Sequence, residues 1–173
     1  METFSWWNEA LEFVRRNETL IEVIVFALGF CESLFFVSFF VPASALFIAI
    51  AALEGAAGGP LLPMLLAGSL GCFAGDMVSF AMGDRYKHDL PERWPFKTNP
   101  GWLPGAQSLF ERWGMSAVVV SKFIGPLRPV IPVVAGASHM PWPTFAAASS
   151  VSSVIWSTAF LAPPYYGLQL LTS

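Results

Sequence analysis

The chain predicts an all-α integral membrane protein. Its expected parts are two re-entrant broken-helix hairpins, full transmembrane spans and interfacial amphipathic helices, arranged as a pseudo-repeat. Three observations predict this. Charge is scarce: 12% of residues are Asp, Glu, Lys or Arg and 55% are hydrophobic, where soluble domains average about 25% charged. No charged residue falls between Glu32 and Glu54, between Glu54 and Asp76, or anywhere after Arg128. About 20 apolar residues cross a bilayer, so several embedded segments fit. Finally, Glu32, Asp76, Lys122 and Arg128 sit inside or at the edge of apolar stretches. A charge at the bilayer centre costs about 2.5–3.5 kcal/mol on insertion scales, and broken apolar segments that carry charge are the pattern of transport sites.

Residues 5–19 mix Trp6, Trp7, Leu11 and Val14 with Glu9, Glu12, Arg15 and Arg16. They predict an interfacial helix lying on the membrane, or else the polar start of a longer first helix. No basic segment leads into a short apolar core, so a cleaved signal peptide is not expected. Residues 20–55 are apolar but interrupted by Pro42, which cannot continue a helix without losing a hydrogen bond. Ser44 is placed to cap the helix that follows. Two halves, each short for a span, predict a re-entrant hairpin. Such a break is tolerated where it packs in protein or lines a wet cavity.

Gly55 to Pro60 is a turn, and residues 61–83 predict a full span. Its Ala67, Gly68, Gly71, Ala74 and Gly75 permit close helix packing, with Asp76 in the second half. Residues 84–112 hold Arg85, Lys87, Arg93, Lys97 and Arg112 among four prolines. The positive-inside rule makes them a cytoplasmic loop, with a second interfacial helix at 105–113. Residues 114–138 predict a second hairpin, broken at Gly125, Pro126 and Pro129. Residues 144–162 predict a second span closed by Pro163-Pro164, with Tyr165 and Tyr166 at the interface. Each half reads as amphipathic piece, broken hairpin, turn and span, which predicts a binding site where the halves meet.

Lys122 and Arg128 would point ~240° apart on an unbroken helix. The Gly125-Pro126 break frees both to face one pocket. Arg offers a planar fork that suits phosphate and Lys a point charge, so the pair reads as a receptor for a phosphate headgroup. The N-terminus of the next half-helix adds its positive dipole end. The plainer reading is that both cations snorkel to the interface as topology anchors; the prolines crowding the site favour the functional one. Glu32 lies among Phe26, Phe30, Phe35, Phe36, Phe39 and Phe40. Burial disfavours a charged carboxylate and a nearby cation favours it. Glu32 therefore reads both as a group that loads and releases a proton and as a structural partner of Lys122 or Arg128. Asp76 carries a weaker form of the same reading, or faces the cytoplasmic end of its helix. Glu54 and Asp84 flank turns and are expected to be solvated.

Cys31 and Cys72 read as buried thiols. Two Cys and two His match no zinc spacing, and no metal or cofactor is expected. No basic tract suggests nucleic acid. An enzyme is not expected, because His88 and His139 sit in no phosphatase-like motif and no Gly-x-Ser-x-Gly elbow occurs.

The run Ser121-Lys-Phe-Ile-Gly-Pro-Leu-Arg-Pro-Val-Ile-Pro-Val-Val-Ala-Gly136 resembles the signature segment of DedA family membrane proteins. That segment usually reads Gly-Arg-Phe-x-Pro-x-x-Arg and continues apolar to Ala-Gly. Glu32 followed by Pro42, Gly71-x-x-x-Gly75-Asp76 followed by Phe80 and Gly83, and Ser149-Ser150 with Trp156 and Tyr166-Gly167 resemble its other segments in order, over about residues 20–168. The resemblance implies a multi-pass protein of the bacterial cytoplasmic membrane with two re-entrant hairpins facing each other. It also implies a role in lipid homeostasis, including recycling of undecaprenyl phosphate and proton-dependent phenotypes; eukaryotic relatives scramble phospholipids. Carried over, Glu32 is the essential acid and Lys122 and Arg128 the essential cations. Lys122 stands where the family usually has Arg, Ser44 where a second acid is common, and Phe80 where Tyr is usual. Gly125-Pro126 reverses the usual order of Pro and Gly.

The expected function is thus a flippase-type, proton-coupled transporter of an anionic lipid phosphate such as undecaprenyl phosphate. Lys122, Arg128, Glu32 and Ser44 are the expected ligand contacts, and Glu32 and Asp76 the proton-coupling groups. Pro42, Gly125, Pro126 and Pro129 are the helix breaks. A proton-coupled transporter of a small soluble ion, or a phospholipid scramblase, is the alternative. The expected partners are an anionic lipid, polyprenyl phosphate or phospholipid, and the membrane. A homo-oligomer is left open.

Overall fold

A computed structural model describes residues 9, 12, 16–39, 43–92, 96–124, 128–138 and 140–172. The described residues form helices and no strand. The order is α1 (Glu18–Ser33), α2 (Ala43–Ala57), α3 (Leu61–Tyr86), α4 (Trp102–Trp113), α5 (Ser116–Ser121), α6 (Val130–Ala137) and α7 (Trp142–Thr172). Short 3-10 turns lie at Val37–Phe39 and Leu90–Glu92. Most of the helix expected at 5–19 lies outside the described residues, as do the expected breaks Pro42, Gly125 and Pro126.

Leu61–Tyr86 and Trp142–Gly167 are long and apolar enough to cross a membrane. At 1.5 Å per residue each reaches ~39 Å, beyond the ~30 Å hydrocarbon core. Pro63 and Pro143 fall in the first turns of α3 and α7, where a missing N–H removes no helical hydrogen bond. The first span runs a turn further than expected, to Tyr86. The second does not close at Pro163-Pro164, which lie inside α7. Packing carries the helix through them. Leu161 and Tyr165 are buried, and the Tyr165 hydroxyl donates to the Gly59 carbonyl at 2.7 Å. The turn after α2 thereby grips α7 just past the prolines. Gly58, at φ 74°, makes that turn, since only glycine takes positive φ without strain.

Glu54 corrects the expectation of a solvated acid: it is 3% exposed. The same turn folds Gly59 onto its side chain. Asp84 is partly exposed and pairs with Lys87 at 3.7 Å. The helix expected at 105–113 begins sooner, at Trp102, and stops where Gly114 takes φ 55°. Between α3 and α4 the chain is pinned by Phe96, which is fully buried and stacks on Phe35 with centroids 5.2 Å apart.

Small residues set the helix contacts. α1 runs beside α3 with Gly71 and Gly75 against the carbonyls of Phe26 and Phe30. α2 packs on α7 and α6 on α3, so each helix–break–helix unit touches the span of the other half. Gly83 meets the Val133 carbonyl and Gly136 meets that of Phe80, and a Cβ at either would overlap the facing oxygen. Overpacking of this kind costs about 1–3 kcal/mol. Gly83→Ala should therefore lower the thermal midpoint in detergent. Gly101→Ala, with nothing among the described residues within 4 Å, should leave it unchanged. Equal midpoints for the two variants would disprove the tight α3–α6 approach.

The core has two apolar clusters. One gathers Phe35, Phe80, Phe96, Val130 and Phe145; the other Val25, Phe47, Met64, Cys72, Trp156 and Leu161. Along α3, Asp76 lies between Cys72 of the second cluster and Phe80 of the first. Along α7, Ser149 and Ser153 lie between Phe145 and Trp156. The polar residues thus occupy the seam between two greasy halves.

Candidate functional site

Four elements deliver four charges to that seam. Glu32 ends α1, Asp76 lies past the middle of α3, Lys122 follows α5, and Arg128 precedes α6. Their exposures are 6%, 1%, 4% and 6%, too little for interfacial anchors, whose charged heads reach water. Ser79 helps aim Glu32. Its hydroxyl donates to the Ser33 carbonyl at 2.9 Å and accepts the Phe35 N–H at 3.0 Å, which ties the end of α1 to α3.

The charges form two ion pairs built alike. Arg128 Nη1 and the Ser44 hydroxyl both donate to Glu32 Oε1. Lys122 Nζ and the Ser149 hydroxyl both donate to Asp76 Oδ2, each at 2.7 Å. Each carboxylate therefore uses one oxygen for a cation and a serine. The other oxygens, Glu32 Oε2 and Asp76 Oδ1, are buried without a hydrogen-bond partner among the described residues, as is Arg128 Nε. Lys122 Nζ also donates to Ser153 at 2.7 Å. The Arg128 guanidinium lies over Trp156, 3.8 Å from the ring centroid, and Nη2 approaches Cys72 Sγ at 3.8 Å.

Such a cluster is expensive. Removing two charges from water can outweigh their attraction unless further hydrogen bonds complete the site. Unmade bonds to buried donors and acceptors add to that. What the arrangement offers chemically is a buried set of two cations and two carboxylates, formally balanced in charge, with spare hydrogen-bonding capacity at three atoms among the described residues. Among the described residues no group of three or more His, Cys, Asp or Glu is placed to hold a metal ion.

Of the residues singled out in the sequence, Glu32, Ser44, Asp76, Lys122 and Arg128 meet here. Pro129 stands at the head of α6. Two expectations need correction. Ser44 does not cap α2: it sits inside the first turn and turns its hydroxyl to Glu32. Asp76 does not face an aqueous helix end but is the partner of Lys122. Sequence reasoning missed Ser149, Ser153, Trp156 and Cys72 as members of the site. A signal for the serines was present. Ser149, Ser152, Ser153 and Ser157 recur at helical spacing in an apolar span and fall on one face, and all four are buried.

Comparison with known proteins places this geometry in context. The family described as VTT domain matches residues 41–165. The chain is similar to inner membrane protein YabI of Escherichia coli (strain K12), 31% identical over 157 residues, covering 90% of this chain and 59% of that protein. It is similar to an uncharacterized membrane protein of Buchnera aphidicola subsp. Schizaphis graminum, 29% identical over 87% of this chain and 60% of the relative. It is also similar to protein DedA of Escherichia coli (strain K12), 24% identical over 90% of this chain and 72% of the relative. The chain thus spans about three fifths of the length of the first two of these relatives. No solved structure matches it.

Proposed function

Because this chain belongs to the VTT-domain family of DedA membrane proteins, we propose that it is a transporter moving an anionic lipid phosphate between the leaflets of the bacterial inner membrane. One observation carries the reading: two cations and two carboxylates lie buried together between the spans α3 and α7. Ionisable groups at membrane depth mark substrate and proton pathways. On this reading α1–α2 and α5–α6 are re-entrant hairpins entering from opposite faces, related as a pseudo-repeat. α5 and α6 have 6 and 8 residues, ~9 and ~12 Å, and neither crosses ~30 Å of hydrocarbon alone. Residues 84–112 face the cytoplasm by their Lys and Arg content.

Arg128 and Lys122 supply positive charge to the headgroup, and the apolar tail stays in lipid. Glu32 neutralises Arg128 in the closed site. Taking up a proton weakens that hold, so anion and proton enter together. The groups act by binding and charge alone, with no bond made or broken in the ligand. Undecaprenyl phosphate is the ligand the family resemblance favours.

The test is reconstitution of the full chain into proteoliposomes carrying a fluorescent short-chain polyprenyl phosphate, with dithionite quenching of the outer leaflet. Inward-facing probe should become quenchable at a rate that rises with protein density and with an imposed proton gradient. Uptake of labelled inorganic phosphate into the lumen without probe movement would replace this reading with transport of a soluble ion.

A further inference from the structure

Each surface of the Arg128 guanidinium has a different neighbour. Its face lies on Trp156. Nη1 donates to Glu32. Among the described residues the one partner of Nη2 is the Cys72 thiol at 3.8 Å, a long bond to a weak acceptor. Nε has no partner among the described residues, although Arg128 is 6% exposed. Nε and Nη2 share one edge of the plane, and that edge binds two oxygens of a phosphate or carboxylate at once. Among the described residues Nε is thus open and Nη2 is held only weakly, and these two donors together form a bidentate fork.

The platform beneath it is fixed. Phe47 of α2 meets the Trp156 ring edge-on at 5.2 Å, and Phe160 stacks on it at 4.4 Å. The indole cannot turn without displacing a neighbouring helix or the next turn of its own. Lys122 offers less, since Asp76 and Ser153 already engage it. We propose that Trp156 and Cys72 make Arg128 a one-edge oxyanion receptor. The indole sets the plane, Glu32 is confined to Nη1, and the Nε–Nη2 edge bounded by Cys72 receives a phosphate-type group without Glu32 having to leave. This rests on the reading that the site takes an anionic phosphate, and it assigns Trp156 and Cys72 as positioning residues.

The experiment is equilibrium binding of labelled inorganic phosphate to the purified full chain in nanodiscs, with dodecyl phosphate as a second probe and gel filtration of each variant as the folding control. Arg128→Lys keeps the charge but has no fork, and should weaken binding about tenfold or more. Trp156→Leu should weaken it about tenfold, as expected for loss of a desolvated cation–π contact. Trp156→Phe, which keeps an aromatic face, should come within about threefold of wild type on the same grounds. Cys72→Asp places a carboxylate against the fork and should abolish binding. Binding of dodecyl phosphate alone identifies a lipid headgroup and binding of phosphate alone a free ion; either supports the fork if these dependences hold. Binding that is lost in Arg128→Ala but unchanged in Trp156→Leu and Cys72→Asp overturns the receptor geometry and leaves the anion site standing. Unchanged affinity in Arg128→Lys overturns the fork by itself. Failure of wild type to bind either probe removes the anion site and this inference with it.

Discussion

Arg128→Ala should abolish movement of the polyprenyl phosphate probe and destabilise the protein by about 3–5 kcal/mol, the usual penalty for breaking a buried ion pair from one side. The two losses have different causes. Transport fails because the guanidinium fork is gone. Stability falls because Glu32, 6% exposed and with Oε2 already unpartnered among the described residues, is left with only Ser44 at Oε1. The double variant Glu32→Gln/Arg128→Ala separates them. Its neutral amide no longer needs a counter-charge, so the thermal midpoint in detergent should recover most of the loss, while transport stays at background. Full transport by Arg128→Ala would end the assignment of this cation to the ligand.

Asp76→Leu should be comparably severe, about 3–5 kcal/mol, because among the described residues Lys122 is then a buried cation held by the Ser153 hydroxyl alone. Replacing both partners by apolar groups of similar size is often nearly neutral, so Asp76→Leu/Lys122→Met should regain most of the midpoint. The cycle should show strongly non-additive coupling. Thermal unfolding of the four proteins measures it, and simple additivity would mean the pair is not coupled. Transport by the double variant should stay impaired, since the seam has lost one of its two positive charges. Wild-type rates there would reduce Lys122 to a structural role.

The spans were legible because two helices of 26 residues, each with a strongly apolar stretch, leave few alternatives, and the costly charges stood out for the same reason. Their pairing was not legible. Glu32 and Arg128 are far apart in the chain, and which acid meets which cation depends on the register of α1 and α6 against α3. That register is set by contacts such as Gly71 on Phe26 and Gly83 on Val133, which the glycines allow but do not address. Asp76 was underrated because nothing local separates a buried acid from one at a helix end. Trp156 and Cys72 were hidden because an indole and a thiol in an apolar span look like packing until a guanidinium is laid on them. The helix through Pro163-Pro164 was misread because proline's local rule ignores Tyr165, whose distant partner Gly59 holds the turn together.

The cancellation of the four charges has an electrical consequence. A site whose cations and carboxylates balance presents no net monopole to the transmembrane voltage, so a carrier of the kind proposed would reorient empty without working against the resting potential. A bare anion would unbalance it and couple each elementary charge moved fully across to about 2.3 kcal/mol per 100 mV. On the proposed reading, a singly charged phosphate loaded with one proton, or a doubly charged one with two, keeps the carrier electrically silent, and turnover in a voltage-clamped membrane should then pass without current.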